Sequence, residues 1–294
     1  MGSERISYTV DGKIATVTLN RPPVNALTHK DLDAFIDIIT EADKDDGVRV
    51  IVITGAGDKT FCAGADVNIA LGGGKHEERS AEFVEQHKEE LKSKSYDYLL
   101  WSPEDRLKEV IRRFLMEGFP LHHIELLQRI NTPTIAAVNG AASGLGCEIA
   151  CACDMRIVSE KARFRWPFVG TQGATPEIAH WLLPRLVGLA KAYELILTSD
   201  IIDAKEADKI GLVNRVVPHE QLMSATMELA SKLANRPPLA VKLAKEGIRW
   251  GIEIPAEKNK RWGNLAWEFC MGTADHREAV EAFLQKREPV YKGK

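Results

Sequence analysis

A regular alternation of strand-like and helix-like segments before Pro218 is the feature that most constrains the fold. Residues 14–19 alternate apolar and polar side chains before Arg21-Pro22-Pro23, which is typical of a half-buried strand. Residues 27–42 repeat apolar side chains about every 3.6 residues, as an amphipathic helix does. Further strands are predicted over 48–54, 134–138 and 155–158, and helices over 121–130 and 144–152. This alternation predicts an α/β fold.

Beyond Pro218 the pattern becomes helical throughout. Helical segments are predicted over 222–233, 240–250, 254–271 and 277–285. We therefore predict a mixed core over residues 1–218 and a helical C-terminal region over 219–294. An insertion at about 72–119 interrupts the core, charged in its first half and aromatic in its second. Long insertions of this kind are functional lids or mobile surface segments. Composition favours a mobile surface for residues 75–95, and the aromatic half could cover an apolar ligand.

Charge and cysteine content exclude several classes of protein. The chain has 39 Lys and Arg against 42 Asp and Glu, a net charge of −3, so it lacks the basic excess of a nucleic-acid-binding protein. No apolar run approaches the roughly 20 residues that span a bilayer, and the first residues do not resemble a secretory signal. The five cysteines are an odd number in mostly apolar stretches. They indicate buried thiols in a reducing compartment, and we predict a cytoplasmic protein.

Small residues follow one of the predicted strands at residues 61–67. Ala63, Gly64 and Ala65 lie there in succession. Residues of this size either pack a tight turn or let a ligand come close to the backbone N–H groups. The sequence leaves both interpretations open.

A second run of small residues, 139–148, lies between a predicted strand and a predicted helix. The free N–H groups at the start of a helix can hold an anion, including one that develops during a reaction. A dinucleotide fingerprint would need glycine where Ile149 stands. A nucleophile elbow would need glycines in place of Ala141 and Leu145. Anion stabilisation by backbone groups is the interpretation that remains.

Glu148 is a lone carboxylate in the otherwise apolar segment 145–153. A buried carboxylate is costly unless it is paired or functional, and burial moves a carboxyl pKa towards the range useful for proton transfer. The alternative is a surface glutamate stabilised by the helix dipole in the first turn. Because its neighbours are small and apolar, we predict a catalytic role.

A further carboxylate lies in Thr175-Pro176-Glu177. This pattern is typical of a helix start, with threonine as cap and proline in the first turn. One role for Glu177 is therefore that of a structural glutamate in the first turn of a helix. The other role is that of a second carboxylate in the same pocket. His122-His123 and His180 have no metal-ligating partners at useful spacing, so we predict no metal site.

Taken together, these motifs resemble the crotonase superfamily of enoyl-CoA hydratase/isomerase-like proteins. Their order and spacing carry the resemblance over most of the chain. The matching segments are residues 20–27, 61–67, 137–140, 144–148, 153–154, 183–188, 204–207, 211–213 and 281–289.

The resemblance implies a crotonase-type spiral of ββα repeats, with a C-terminal helical region that builds trimers or hexamers. It implies an acyl-CoA substrate, with coenzyme A as part of that substrate and no other cofactor. Two backbone N–H groups, of Ala65 and Leu145, would form an oxyanion hole. The loops that contact the substrate would include residues 25–27 and 63–68, namely Asn25, Ala26, Leu27, Ala63, Asp66, Val67 and Asn68.

The resemblance also assigns the carboxylates. Glu148 matches the first catalytic glutamate of the hydratases, but Phe168 stands where their second glutamate would be, and we assign Phe168 to the substrate pocket. Glu177 matches a glutamate that another branch, including some Δ3-Δ2-enoyl-CoA isomerases, carries further along the chain. The departure at Phe168 puts the usual two-glutamate mechanism in doubt.

The sequence thus predicts an enoyl-CoA hydratase that uses Glu148 and Glu177. Alternatives are a Δ3-Δ2-enoyl-CoA isomerase, a C–C or thioester hydrolase of the same fold, and a non-catalytic CoA-binding member. The expected partners are an acyl-CoA thioester and further copies of the chain, with no nucleic acid and no membrane.

Overall fold

Ten strands occur in the computed structural model, which describes residues 5–66, 124–171 and 178–294. They are β1 (Ile6–Asp11), β2 (Ile14–Leu19), β3 (Val50–Gly55), β4 (Thr60–Cys62), β5 (Thr134–Val138), β6 (Ala141–Ser143), β7 (Met155–Ser159), β8 (Arg163–Arg165), β9 (Ile202–Asp203) and β10 (Arg215–Val217).

The same residues contain ten α-helices. They are α1 (His29–Lys44), α2 (Glu125–Arg129), α3 (Leu145–Ala152), α4 (Ala179–Val187), α5 (Leu189–Thr198), α6 (Ala204–Lys209), α7 (Leu222–Ala234), α8 (Pro238–Gly251), α9 (Ala256–Met271) and α10 (Ala274–Gln285). Together with the strands they confirm the predicted α/β class.

A six-stranded sheet has the order β1-β2-β3-β5-β7-β10. The β1–β2 pair is antiparallel, and the other pairs are parallel. Every residue of β3 and of β5 is buried, as expected for central parallel strands covered on both faces. Helix α7 packs against β3, β5 and β7, so part of the predicted C-terminal region covers this sheet.

A second sheet has the order β4-β6-β8-β9. Strands β4, β6 and β8 each follow a strand of the large sheet and pair in parallel with one another. The connection from β5 to β6 is tight, because a Cβ on Gly140 would lie 2.1 Å from the carbonyl oxygen of Lys59. The chain therefore repeats a strand of the large sheet and a strand of the small sheet, and α3 begins where β6 ends.

Several predicted elements match closely and others do not. The strands at 14–19 and 134–138 and the helix predicted over 144–152 agree with β2, β5 and α3. Helix α1 begins at His29, after the cap residue Thr28, whose side chain accepts a hydrogen bond from Asp31 N at 3.2 Å. The predictions omitted β1, β10, the small sheet, α5 and α6, and they gave a helix start at 175–177, before α4, as one of two interpretations. The insertion at 72–119 lies outside the described residues.

Among the described residues, 5–64, 124–171 and 178–294 belong to one compact unit, and Ala65 and Asp66 belong to another. The first unit continues without interruption past Pro218. The boundary at that residue stays a prediction.

Candidate functional site

The turn between β6 and α3 positions the amide of Leu145. Gly144 has a φ of +51°, in the left-handed region that favours glycine. Its N–H donates to the carbonyl oxygen of Arg165 at 2.9 Å, which holds the turn against the end of β8. Leu145 is the first residue of α3, where an N–H group has no acceptor within the helix.

The loop after β4 approaches this turn closely. A Cβ on Gly64 would lie 2.9 Å from Ser143 O and 3.7 Å from Leu145 N, and one on Gly146 would lie 2.1 Å from Cys62 O. The first turn of α3 therefore lies directly on the backbone of residues 62–64. Both runs of small residues found in the sequence are sites of close backbone approach.

The orientation of the peptide bond after Gly64 follows from one hydrogen bond. The carbonyl oxygen of Gly64 accepts from Leu27 N at 2.9 Å. In a trans peptide the N–H that follows a carbonyl group points the opposite way from that carbonyl oxygen. Ala65 itself is exposed, whereas Asp66 is buried.

The loop of residues 25–27 is fixed by its own polar groups. Asn25 is buried with a φ of +53°, and its Nδ2 lies 2.9 Å from Thr60 O and 3.0 Å from Ala56 O. The carbonyl oxygen of Ala26 accepts from Nη1 of Arg21 at 2.7 Å. The side chain of Asn25 thus fastens the loop to β4, and a contact of this loop with coenzyme A stays a prediction.

Glu148 lies in the first turn of α3, and its side chain is fully buried. All eight residues of this helix are buried, so the alternative of a solvated surface glutamate is wrong. Burial raises the pKa of the Cys151 thiol to about 12, and the nearby Glu148 carboxylate adds to this rise. Burial likewise raises the pKa of Cys147, which donates through Sγ to Ala142 O at 3.1 Å. Glu148 is therefore a buried carboxyl group close to two buried thiols.

Phe168 lies beside the turn that precedes Leu145. Its Cζ would be 3.3 Å from a Cβ on Gly144, and its half-buried ring packs against the core. Trp166, two residues earlier, is fully buried. The structure thus brings Phe168, Gly144 and Leu145 together in one place.

Three predicted site residues, Val67, Asn68 and Glu177, lie outside the described residues. Among the residues that the structure does describe, no three His, Cys, Asp or Glu side chains are grouped to hold a metal ion. None of the helices there is both long and apolar enough to cross a membrane.

No sequence pattern singled out the side chain of Asn139. Its Nδ2 donates to Gly57 O at 2.8 Å, and its Oδ1 accepts from Gly55 N at 3.2 Å. Asn139 therefore ties the exits of β3 and β5 together, just before the chain enters the small sheet. The Asn-Gly step at the strand end was the available signal.

Comparisons with known proteins agree with this architecture. A family model described as enoyl-CoA hydratase/isomerase matches residues 9–97 and 115–294. The chain is 38% identical to a short-chain-enoyl-CoA hydratase of Clostridium acetobutylicum over 279 residues, 94% of this chain and 93% of the relative. It is 34% identical to a crotonyl-CoA hydratase of Syntrophomonas wolfei over 289 residues, 98% of this chain and 97% of the relative.

A solved structure is similar over nearly the whole chain. The crystal structure of an enoyl-CoA hydratase from Bacillus anthracis superposes with a TM-score of 0.81 at 32% identity. The match covers 99% of this chain and 100% of the other. The predicted crotonase-type fold is confirmed.

Proposed function

The chain belongs to the enoyl-CoA hydratase/isomerase family of the crotonase superfamily, and from that premise we propose that it hydrates 2-enoyl-CoA thioesters. It is an enzyme of the hydratase/isomerase type. The observation that carries the proposal is the approach of Gly64 to the Leu145 amide, one turn before the buried Glu148.

The thioester carbonyl oxygen accepts hydrogen bonds from the N–H groups of Ala65 and Leu145. As the oxygen of water adds to Cβ, the electrons of the carbon–carbon double bond move towards the thioester carbonyl oxygen and form an enolate. Two fixed donors aimed at that charge stabilise the transition state, and losing one donor in such a site typically costs about 3–4 kcal/mol. Because both donors belong to the backbone, their positions depend on the folds around Gly64 and Gly144.

Glu148 and Glu177 share the proton transfers. One carboxylate takes a proton from the attacking water, and a carboxylic acid then delivers a proton to Cα as the enolate collapses. The burial of Glu148 in the first turn of α3 suits this role. Loop residues 25–27 and 63–68 and the ring of Phe168 hold the thioester, and coenzyme A enters only as part of the substrate.

Substitution of each carboxylate tests this assignment. We expect Glu148→Gln to lower kcat for crotonyl-CoA by about 10²- to 10⁴-fold, the usual contribution of general acid–base catalysis, and Glu177→Gln to lower it as well. Glu160→Gln, at an exposed turn after β7, is the matched control with unchanged turnover. Wild-type turnover in both catalytic variants would contradict the roles given to them.

Phe168 favours a second candidate, the Δ3-Δ2-enoyl-CoA isomerase, because an apolar ring beside Gly144 does not bind water. Isomerisation needs one carboxylate to move a proton between Cγ and Cα. In ¹⁸O-labelled heavy water, hydration places ¹⁸O at C3, whereas isomerisation exchanges deuterium at Cγ without oxygen. Release of free thiol would indicate a thioester hydrolase, and binding without any product would indicate a non-catalytic member.

We also propose that the chain forms trimers. Two apolar surfaces are exposed in a single copy: Leu189, Tyr193 and Leu197 along α5, and Leu265, Trp267, Phe269, Phe283 and Leu284 on α9 and α10. Large apolar side chains that are exposed in a group mark an interface. Two different surfaces on one chain suit a head-to-tail contact, which closes into a ring.

Sedimentation velocity tests the assembly. We expect a trimer, or a hexamer of paired trimers, and dissociation on Phe283→Glu, at a side chain that is 83% exposed in the single chain. A monomer at micromolar concentration would contradict the proposal.

All five cysteines are free thiols, which supports a reducing compartment, proposed to be the cytoplasm.

A further inference from the structure

A short helical turn directly after Phe168 is fastened to the far end of α5. This turn, Val169–Thr171, donates from Gly170 N to the hydroxyl oxygen of Ser199 at 3.2 Å. The carbonyl oxygen of Ser199 accepts from Nε of Arg165 at 2.9 Å. One residue therefore bonds both sides of the segment that carries Phe168.

Ser199 adopts a backbone conformation that is unfavourable for serine. It is buried and has a φ of +58°, in the left-handed region where glycine is preferred. A glycine there would satisfy the backbone, but it would lack the hydroxyl that Gly170 needs. The hydroxyl group is thus what serine offers at this position and glycine, which adopts the backbone conformation more easily, does not.

The same turn is also held by hydrogen bonds of its own. Thr171 donates to the carbonyl oxygen of Phe168 from both its N–H and its hydroxyl, each at 3.0 Å. With Ser199 holding Gly170, the backbone on the C-terminal side of Phe168 is fixed. The ring then has a defined position beside Gly144, one residue before the Leu145 amide.

We propose that Ser199 is a positioning residue that sets acyl selectivity through Phe168. This inference rests on the proposed function, in which the Leu145 amide holds the thioester oxygen. A ring held beside Gly144 occupies the space next to that oxygen and therefore meets any branch on C2 of the acyl group. The substrate class that fits is a 2-enoyl-CoA unbranched at C2.

The test compares crotonyl-CoA with its 2-methyl analogue, tiglyl-CoA, in Ser199→Gly, Ser199→Ala and Phe168→Ala. We expect the wild-type preference for crotonyl-CoA, as a ratio of kcat/KM values, to fall about fivefold in both Ser199 variants, the size of one lost hydrogen bond. Phe168→Ala lowers it at least as much. In the Phe168→Ala background, Ser199→Gly causes no further change, because the ring through which it acts is gone.

Lys286→Gly is the matched control. Lys286 also ends a helix with a positive φ, +53°, and its replacement leaves the ratio unchanged. An unchanged ratio in Ser199→Gly would overturn the proposal, and so would effects of Ser199→Gly and Phe168→Ala that multiply in the double variant.

Binding separates this inference from the proposed reaction. Calorimetry with the non-reacting butyryl-CoA and 2-methylbutyryl-CoA measures the same selectivity without turnover. If the wild type has no turnover but Ser199→Gly binds the two thioesters less selectively than the wild type does, the proposed reaction is wrong and the positioning role is supported. Unchanged binding selectivity in an active enzyme would contradict the positioning role alone.

Discussion

Helices α3 and α9 are built in opposite ways. Every residue of α3 is buried, and its first turn lies on the backbone of β4. In α9, twice as long, none of the residues is buried, and large apolar side chains face outward. The contrast shows that the first turn of α3 lies on backbone that leaves no room for added atoms, whereas α9 exposes apolar side chains at the surface where we propose that another copy binds.

Adding one methyl group to a glycine of each helix should expose this contrast most strongly. In Gly146→Ala the new Cβ would lie 2.1 Å from the carbonyl oxygen of Cys62, so we expect a loss of at least about 3 kcal/mol, above the usual cost of overpacking because backbone must move. In Gly263→Ala the Cβ meets nothing within 4 Å, and the variant should gain about 0.5–1 kcal/mol.

Chemical denaturation of both variants, with crotonyl-CoA turnover, measures the difference. The Gly146 variant should also lose most of its activity, because the Leu145 amide moves with the first turn. Equal stability of the two variants would show that the backbone packing around α3 is not as restrictive as its geometry indicates.

A buried ion pair joins helix α8 of the C-terminal region to the residues that follow α3 in the core. Its removal should give the next largest loss of stability. Nζ of Lys245, on α8, lies 2.7 Å from Oδ2 of Asp154 and donates to Thr132 O at 2.9 Å. Burial lowers the pKa of Lys245. We expect Lys245→Ala to cost about 2 kcal/mol, less than the 3–5 kcal/mol of fully buried pairs, because Asp154 keeps some exposure and its bond from Thr134 N.

Lys242→Ala on the same helix is the control and should change stability by less than about 0.5 kcal/mol. Limited proteolysis should cut the Lys245 variant first within the C-terminal helices. A stability loss no larger than that of the control would mean that α8 is held to the core by apolar packing alone.

The smallest effect lies within the C-terminal helices and depends on pH. Arg287 and Val290 N hold the pKa of Glu278 at about 2, below its ordinary 4.5. A carboxyl group whose pKa is lowered by folding stabilises the folded protein at pH values above its pKa in the unfolded chain. This stabilisation is lost as the pH falls from 4.5 to about 2. Between wild type and Glu278→Gln we expect a Tm difference of about 1–2 °C above pH 5, since exposed pairs contribute little.

That difference should vanish near pH 2. Differential scanning calorimetry at several pH values measures it. A difference independent of pH would contradict the role of the carboxylate charge.

The same contrast explains what the sequence could predict. Periodicity located β2 and α1, because their apolar spacing reports burial on one face. The apolar runs at 134–138 and 145–153 located β5 and α3, which are buried on all sides. It missed the small sheet, since strands of two or three residues such as β9 carry no period.

Candidate site residues divided in a similar way. The lone carboxylate of Glu148 and the small residues around Gly64 and Gly144 stood out from the sequence. Asn139 and Ser199 did not, because their partners are backbone groups 82 and 29 residues away. These hydrogen bonds join residues that are far apart in the sequence, so only the folded structure reveals them.

A crystal structure with a non-reacting acyl-CoA thioester would show the proposed oxyanion hole itself. We expect the thioester oxygen to lie about 2.7–3.1 Å from the nitrogens of both Ala65 and Leu145, the range of an oxyanion-hole donor. We also expect a carboxylate oxygen of Glu148 to face the acyl carbons. If the thioester oxygen is bound by neither amide, or by one of them alone, the proposed oxyanion hole is wrong.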